Sequence, residues 1–199
     1  MTLVEERPAN ADAAQARRAM IDSQLRVSGV NDPAILSAFD TVVREDFVPA
    51  DRRAVAYADR AVPLGDGTVL APALTHGQML TAADIAPDDK VLVIGKPGAY
   101  LAALAGKLAG SVTQAGTADD WSATGPYSLI LVDGAVEAVP AGLAAALADH
   151  GRVVTGLVER GVARLAIGRK IAGELVLTNL GEADFAAFPE FAAPKKWSF

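Results

Sequence analysis

The chain has 199 residues, 51% of them hydrophobic and 21% charged, the size and balance of one compact domain, although 41 alanines mean that its core is built from small side chains. Eighteen Lys and Arg against 24 Asp and Glu give a net charge of −6, which argues against the positive field that holds proteins on nucleic acid or anionic membranes. There is no cysteine and there are only two histidines, so disulfides, thiol catalysis and zinc or cysteine-ligated iron centres are excluded and no metal site is expected. The first residues, Met1 to Pro8, carry neither a basic leader nor an apolar stretch, and no run of 18 apolar residues follows. A cytoplasmic protein is expected, neither exported nor membrane-spanning, with residues 1–10 as a flexible tail.

From Ala11 to Val27, Ala16, Met20, Ile21 and Leu25 recur at three- and four-residue steps, which predicts an amphipathic helix ending at Gly29. Asn31-Asp32-Pro33 caps a second helix with Ile35, Leu36 and Phe39 inward. Val42 to Leu64 reads as loops with a short helix near Arg53 and Tyr57, and a further helix covers Thr75 to Ile85. Lys90 to Gly95 is then an unbroken apolar run, the mark of a strand buried on both faces. Helix Ala99 to Ala109, strand Ser111 to Ala115, strand Tyr127 to Asp133, helix Glu137 to Asp149 and strand Gly151 to Val158 follow in turn. Strands alternating with helices predict an α/β, doubly wound, mostly parallel sheet. Val162 to Arg169 and Glu174 to Asn179 close the chain as an antiparallel hairpin.

Several segments in a fixed order resemble the protein-L-isoaspartate O-methyltransferases. Ala16 to Ile21 with Gln24-Leu25 and Gly29-Val30 is similar to the family's N-terminal helix, and Val43-Arg44-Glu45-Asp46-Phe47-Val48-Pro49 to its PRE-x-FVP signature. Ala56-Tyr57-Ala58-Asp59 matches AY-x-D, and Pro63 to Gly65 with Thr68 to Pro72 stands where the family has G-x-GQTISQP. Lys90 to Tyr100 stands at VLEIGTGSGY and Gly125 to Ala135 at APYDAIIV, with Val139-Pro140 and Gly151 to Val153 trailing at suitable distances. The resemblance implies a Rossmann-like methyltransferase sheet over residues 87–199, with residues 11–86 as a helical and loop region packed on it. It also implies S-adenosylmethionine at Gly95, Gly98, Tyr100, Gln114 and Asp133, and an isoaspartyl substrate at Thr68, Leu70 and Pro72.

The positions that would carry chemistry depart from that pattern. In Gly95-Lys96-Pro97-Gly98-Ala99-Tyr100 the family's second glycine is Pro97, which fixes φ and deletes a donor, and its third is Ala99. The acid before the loop is Val93, and the second strand ends in Gln114 where a ribose-binding carboxylate is expected. Leu70 and Ala71 replace a Ser and a Gln, which predicts an apolar patch in place of a peptide site. Only 26 residues separate Tyr100 from Tyr127, so the sheet is shortened by about one strand and its helices. These departures point to a family member that has lost S-adenosylmethionine, has no catalytic residue and no cofactor, and serves as a non-catalytic binding or assembly protein. The alternative is an active S-adenosylmethionine-dependent methyltransferase with an atypical cofactor loop; an unrelated anion or nucleotide binder using the Gly95 to Tyr100 turn is the third possibility.

Among single residues, His76 reads as a solvent-facing or helix-satisfying histidine rather than a general base, and His150 as a helix C-terminal residue favoured by the macrodipole. Asp133 ends a parallel strand on the ligand-binding edge and is the best-placed carboxylate. Trp121 and Trp197 read as core cover. Loss of a third strand leaves Ser111 to Ala115 as an edge, inviting a homodimer or a protein partner. The link Gly116 to Pro126 must cover about 20 Å, and eleven residues extended reach about 36 Å where a helix of that length reaches about 16 Å. An extended link is expected, with Trp121 on the sheet face opposite helix Ala99 to Ala109.

Overall fold

The computed structural model describes residues 9–194 apart from Pro97, so the reading of Trp197 and the first eight residues of the expected tail lie outside the described residues. Helix α1 spans Ala9–Met20, two residues earlier than its apolar spacing begins. It runs on through a wider π turn over Ile21–Leu25 and a tighter turn over Arg26–Ser28, ending at Gly29, whose φ of 89° is the left-handed stop that glycine allows. Asp32 caps α2 (Pro33–Thr41), its carboxylate accepting from the N–H groups of Ala34 and Ile35 with Pro33 in the first turn. Strands β1 (Val62–Pro63) and β2 (Val69–Leu70) form a small antiparallel pair ahead of α3 (Ala73–Ala83).

The main sheet holds β3 (Lys90–Ile94), β4 (Ser111–Ala115), β5 (Tyr127–Val136), β6 (Leu147–Glu159), β7 (Val162–Ile171) and β8 (Glu174–Glu182) in the order β4-β3-β5-β6-β7-β8. The first four are parallel and the last two antiparallel, the doubly wound sheet with a terminal hairpin that the residue pattern predicts. No strand separates β4 from β5 among the described residues, so β4 is the sheet edge, as the short spacing requires. The Glu137 to Asp149 helix is corrected: α5 covers only Ala141–Ala146, and β6 starts at Leu147. His150 therefore does not end a helix; it lies exposed in an irregular stretch of β6 with φ 63°.

Alternation along the strands divides the core. Val91, Val93, Leu129 and Leu131 face α2, α3 and α4 (Tyr100–Ala105) together with Met20, Leu25 and Phe39. Leu92, Ile94, Ile130 and Val132 face the other way, onto Leu143, Phe191 and Trp121. The link Gly116 to Pro126 crosses this second face as a series of turns rather than an extended run, because Asp119 and Asp120 fold back onto the N–H groups of Gly116 and Ser122. Trp121 lies where expected: 7% exposed, edge-on to Phe191 at 5.9 Å, its indole N–H on the Gly116 carbonyl at 2.9 Å. With one six-residue helix as its neighbour, this ring fills a large share of a thin layer. Trp121→Ala is expected to lose about 3 kcal/mol, and so about 6 to 12 °C in midpoint, in thermal denaturation. An unchanged midpoint would show that the layer needs no such cover.

Candidate functional site

Parallel strands deliver their carboxyl ends to one edge, where ligands of doubly wound sheets bind. Here that edge is formed by the turn after β3, the end of β4 and Asp133 in β5. Gly95 follows β3 and donates to the Ala115 carbonyl at 2.9 Å. A β-carbon on Gly95 would lie 3.1 Å from Asp133 Cβ, so glycine lets the turn pass close against β5. Gly98, at φ 77°, donates its N–H to Gln114 Oε1 at 2.7 Å, and a β-carbon there would meet nothing within 4 Å. The turn is thus open toward solvent, and the neutral amide of Gln114 occupies the place at the end of β4 where a carboxylate was expected. Pro97 lies outside the described residues. Lys96 reaches away from the turn to Asp66, Nζ to Oδ2 at 2.6 Å, joining the β3 turn to the loop between β1 and β2. Lys96, with the hydroxyl and N–H of Thr68, holds the Asp66 carboxyl well below the ordinary carboxylate range.

Tyr100 opens α4 but does not face the ligand edge. It is fully buried against Phe39 and Phe47, with ring centroids 6.0 and 5.1 Å away, and the Arg44 guanidinium lies over its ring at 5.1 Å. Burial pushes its hydroxyl above the usual tyrosine range. Beside it, His76 is also fully buried, which overturns the solvent-facing reading: its Nε2 is 2.8 Å from Asp133 Oδ1. The spacing Ala73, His76, Leu80, Ala83 on α3 was the available signal, since it places His76 on a buried stripe. Asp133 is 14% exposed at its side chain, and its Cβ lies close against the Gly95 turn.

The expected substrate loop is taken up by structure. Leu70 is 4% exposed and belongs to the core, so the apolar surface patch is not formed: β2 is short and pairs with β1, turning Leu70 inward. Pro72 is buried ahead of α3, and the Ala71 carbonyl accepts from Arg44 Nη2 at 2.6 Å. Of Thr68, Leu70 and Pro72 only Thr68 is exposed, and it is tied to Asp66. A feature the sequence reading missed is the C-terminal strap: Phe188 donates its N–H to the Ala135 carbonyl, and its ring lies against Gly134, where a β-carbon would come within 2.4 Å of it. Three phenylalanines at 185, 188 and 191 were its trace in the sequence. No group of three or more metal-ligating side chains occurs among the described residues, and no described helix is long and apolar enough to cross a membrane.

The family model for protein-L-isoaspartate(D-aspartate) O-methyltransferase matches residues 15–117. The chain is 34% identical over 196 residues to a protein-L-isoaspartate O-methyltransferase of Koribacter versatilis, covering 85% of this chain and 88% of that one. It is 32% identical over 195 residues to one of Rhodopseudomonas palustris, with 83% and 85% covered. A crystal structure of a protein-L-isoaspartate O-methyltransferase from Plasmodium falciparum in complex with S-adenosyl-L-homocysteine superposes with a TM-score of 0.72 at 14% identity, covering 87% of this chain and 98% of that one. A second structure of that name gives 0.74 at 19% identity, covering 88% and 67%. Likeness at this identity establishes the shared fold.

Proposed function

Since the chain belongs to the protein-L-isoaspartate O-methyltransferase family, we propose that it is an S-adenosylmethionine-dependent O-methyltransferase acting on a protein carboxylate. The observation that carries the reading is the open Gly95 to Tyr100 turn at the carboxyl end of β3, beside Asp133, in a chain aligned along most of its length with relatives of that name. The donor set supplies the hydrogen-bonding groups a nucleoside cofactor needs while changing the charge at the end of β4. Gly98 offers a backbone N–H, Gln114 a neutral acceptor and donor for ribose hydroxyls, and Asp133 the carboxylate that positions 93 and 114 lack. When bound, S-adenosylmethionine supplies an activated methyl group that a carboxylate oxygen can take. The chain's part is to hold and orient: Gln114 must leave Gly98 to meet the ligand, and the Lys96 to Asp66 contact sets how far the β1 to β2 loop lies from the turn.

A neutral acceptor grips hydroxyls less strongly than an ionised one, so a weak cofactor site is expected. Calorimetry with S-adenosyl-L-homocysteine tests this, together with methyl transfer to an isoaspartyl peptide. Wild-type protein should bind measurably, and Gln114→Asp should bind about tenfold more tightly, the worth of one charge-assisted hydrogen bond. A second reading, a non-catalytic binding protein, is favoured by the Gln114 to Gly98 bond, which takes up a donor and an acceptor that a ligand would need, and by the Phe188 ring packed against Gly134. Absence of binding in both proteins, with no methyl transfer, would overturn the first reading in favour of the second.

A further inference from the structure

Among the described residues the Asp133 side chain has one hydrogen-bond partner, His76, and the buried Arg44 guanidinium acts on it through charge without touching it. An ionised carboxylate accepts only, so the proton shared at 2.8 Å is the Nε2 proton of His76, while Nδ1 has no partner in its buried setting. A histidine sealed from solvent with half its hydrogen-bonding capacity unused adds little as core filler, because an unmet polar atom costs free energy. What it does achieve is to fix one oxygen of Asp133. The other, Oδ2, has no hydrogen-bond partner among the described residues, and the side chain, 14% exposed, lies beside the Gly95 turn. Two other carboxylates near this edge are already engaged, Asp66 by Lys96 and Thr68 and Asp119 by the Gly116 N–H.

We propose that Asp133, held in place by His76, is the cation-recognising residue of this edge, its free oxygen receiving the ammonium group of an amino-acid-bearing nucleoside. The inference rests on the methyltransferase reading and names the residue that selects the charged part of the ligand; His76 is a positioning residue acting through Asp133. Two probes separate this role from general support of the pocket. S-Adenosyl-L-homocysteine carries the ammonium group and adenosine does not. In calorimetry, wild type should bind the first at least tenfold more tightly than the second. Asp133→Asn should lose about 10- to 100-fold toward S-adenosyl-L-homocysteine, the range of a charge-assisted hydrogen bond, and leave adenosine unchanged. His76→Gln, whose amide can still donate to Asp133, should keep the preference, and His76→Ala should reduce it, with circular dichroism confirming that each variant is folded. If Asp133→Asn weakens both ligands equally, or neither, the assignment is wrong while the nucleoside pocket stands. If wild type binds adenosine as well as S-adenosyl-L-homocysteine, no cation is being recognised and the assignment is likewise wrong. Failure of wild type to bind either probe would overturn the methyltransferase reading itself, and this assignment with it.

Discussion

Arg152→Ala is expected to destabilise the protein by about 3 to 5 kcal/mol, the cost of stranding one member of a buried ion pair, which corresponds to a fall of about 6 to 20 °C in thermal midpoint. Arg152 in β6 places its Nε on the Ala83 carbonyl at 2.5 Å, and its Nη2 on the Asp84 carbonyl at 2.8 Å and on Asp89 Oδ2 at 2.6 Å. It thereby ties the end of α3 and the turn before β3 to the middle of the sheet. Asp89, 6% exposed, also accepts from the Ser128 hydroxyl and the Ala86 N–H. Burial alone would raise its carboxyl, but Arg152, Ser128 and Ala86 outweigh that and hold it below its ordinary 3.8. With the folded value depressed, the contribution is fully present above the unfolded value and is lost as pH falls through the folded one. Denaturant titrations across the acid range should therefore show wild-type stability dropping below about pH 4, with a flatter profile in Asp89→Asn. Equal slopes for the two proteins would show that Asp89 contributes nothing through its charge.

Arg44→Met is expected to cost about 2 to 4 kcal/mol although it keeps much of the volume, because two carbonyls, one buried and one partly buried, lose their donors. Arg44 is fully buried, with Nε on the Ala56 carbonyl at 2.7 Å and Nη2 on that of Ala71 at 2.6 Å, and it spans the stretch between the motif at Val43 to Pro49 and the start of α3. Burial lowers its pKa to about 10, which leaves it charged at neutral pH. Arg44→Lys should rescue little, since one ammonium cannot reproduce the planar fork that reaches both carbonyls. Urea denaturation reads the loss. Hydrogen exchange at residues 56–72 reads where it falls, and wild-type-like protection there would show that the fork is not what fixes this loop.

Arg44 shows where reading the sequence stops. The motif around it was legible as a family signature, and its position in chain order helped identify the fold, but nothing in Val43 to Pro49 says that the arginine is buried. That follows from two carbonyls 12 and 27 residues downstream. Asp133 was legible as a carboxylate at the ligand edge, and it follows the last β3 to β5 pair at Val132, but it does not end its strand, since β5 runs on to Val136; His76 was misread because its partner is 57 residues away. The helix expected over Glu137 to Asp149 failed for a related reason. Its alanines favour helix locally, but β5 draws Leu147 onward into the sheet, where ladder hydrogen bonds and burial outweigh propensity.

The sequence by itself determined the parallel order of the first strands, the terminal hairpin, the edge position of β4 and the side of the sheet on which Trp121 lies. The strand order and the hairpin follow from alternation and strand length, which are local quantities, while the edge position of β4 follows from the short spacing set against the family's topology and the face of Trp121 from the right-handed crossover. Only the tertiary structure decided that Leu70 turns inward, that Gln114 closes onto Gly98, that Phe188 straps the end of β5 and that His76 holds Asp133. Each of these is a pairing across many residues, set by which polar atoms remain unsatisfied once the backbone has packed, and hydrophobic periodicity carries no record of that accounting.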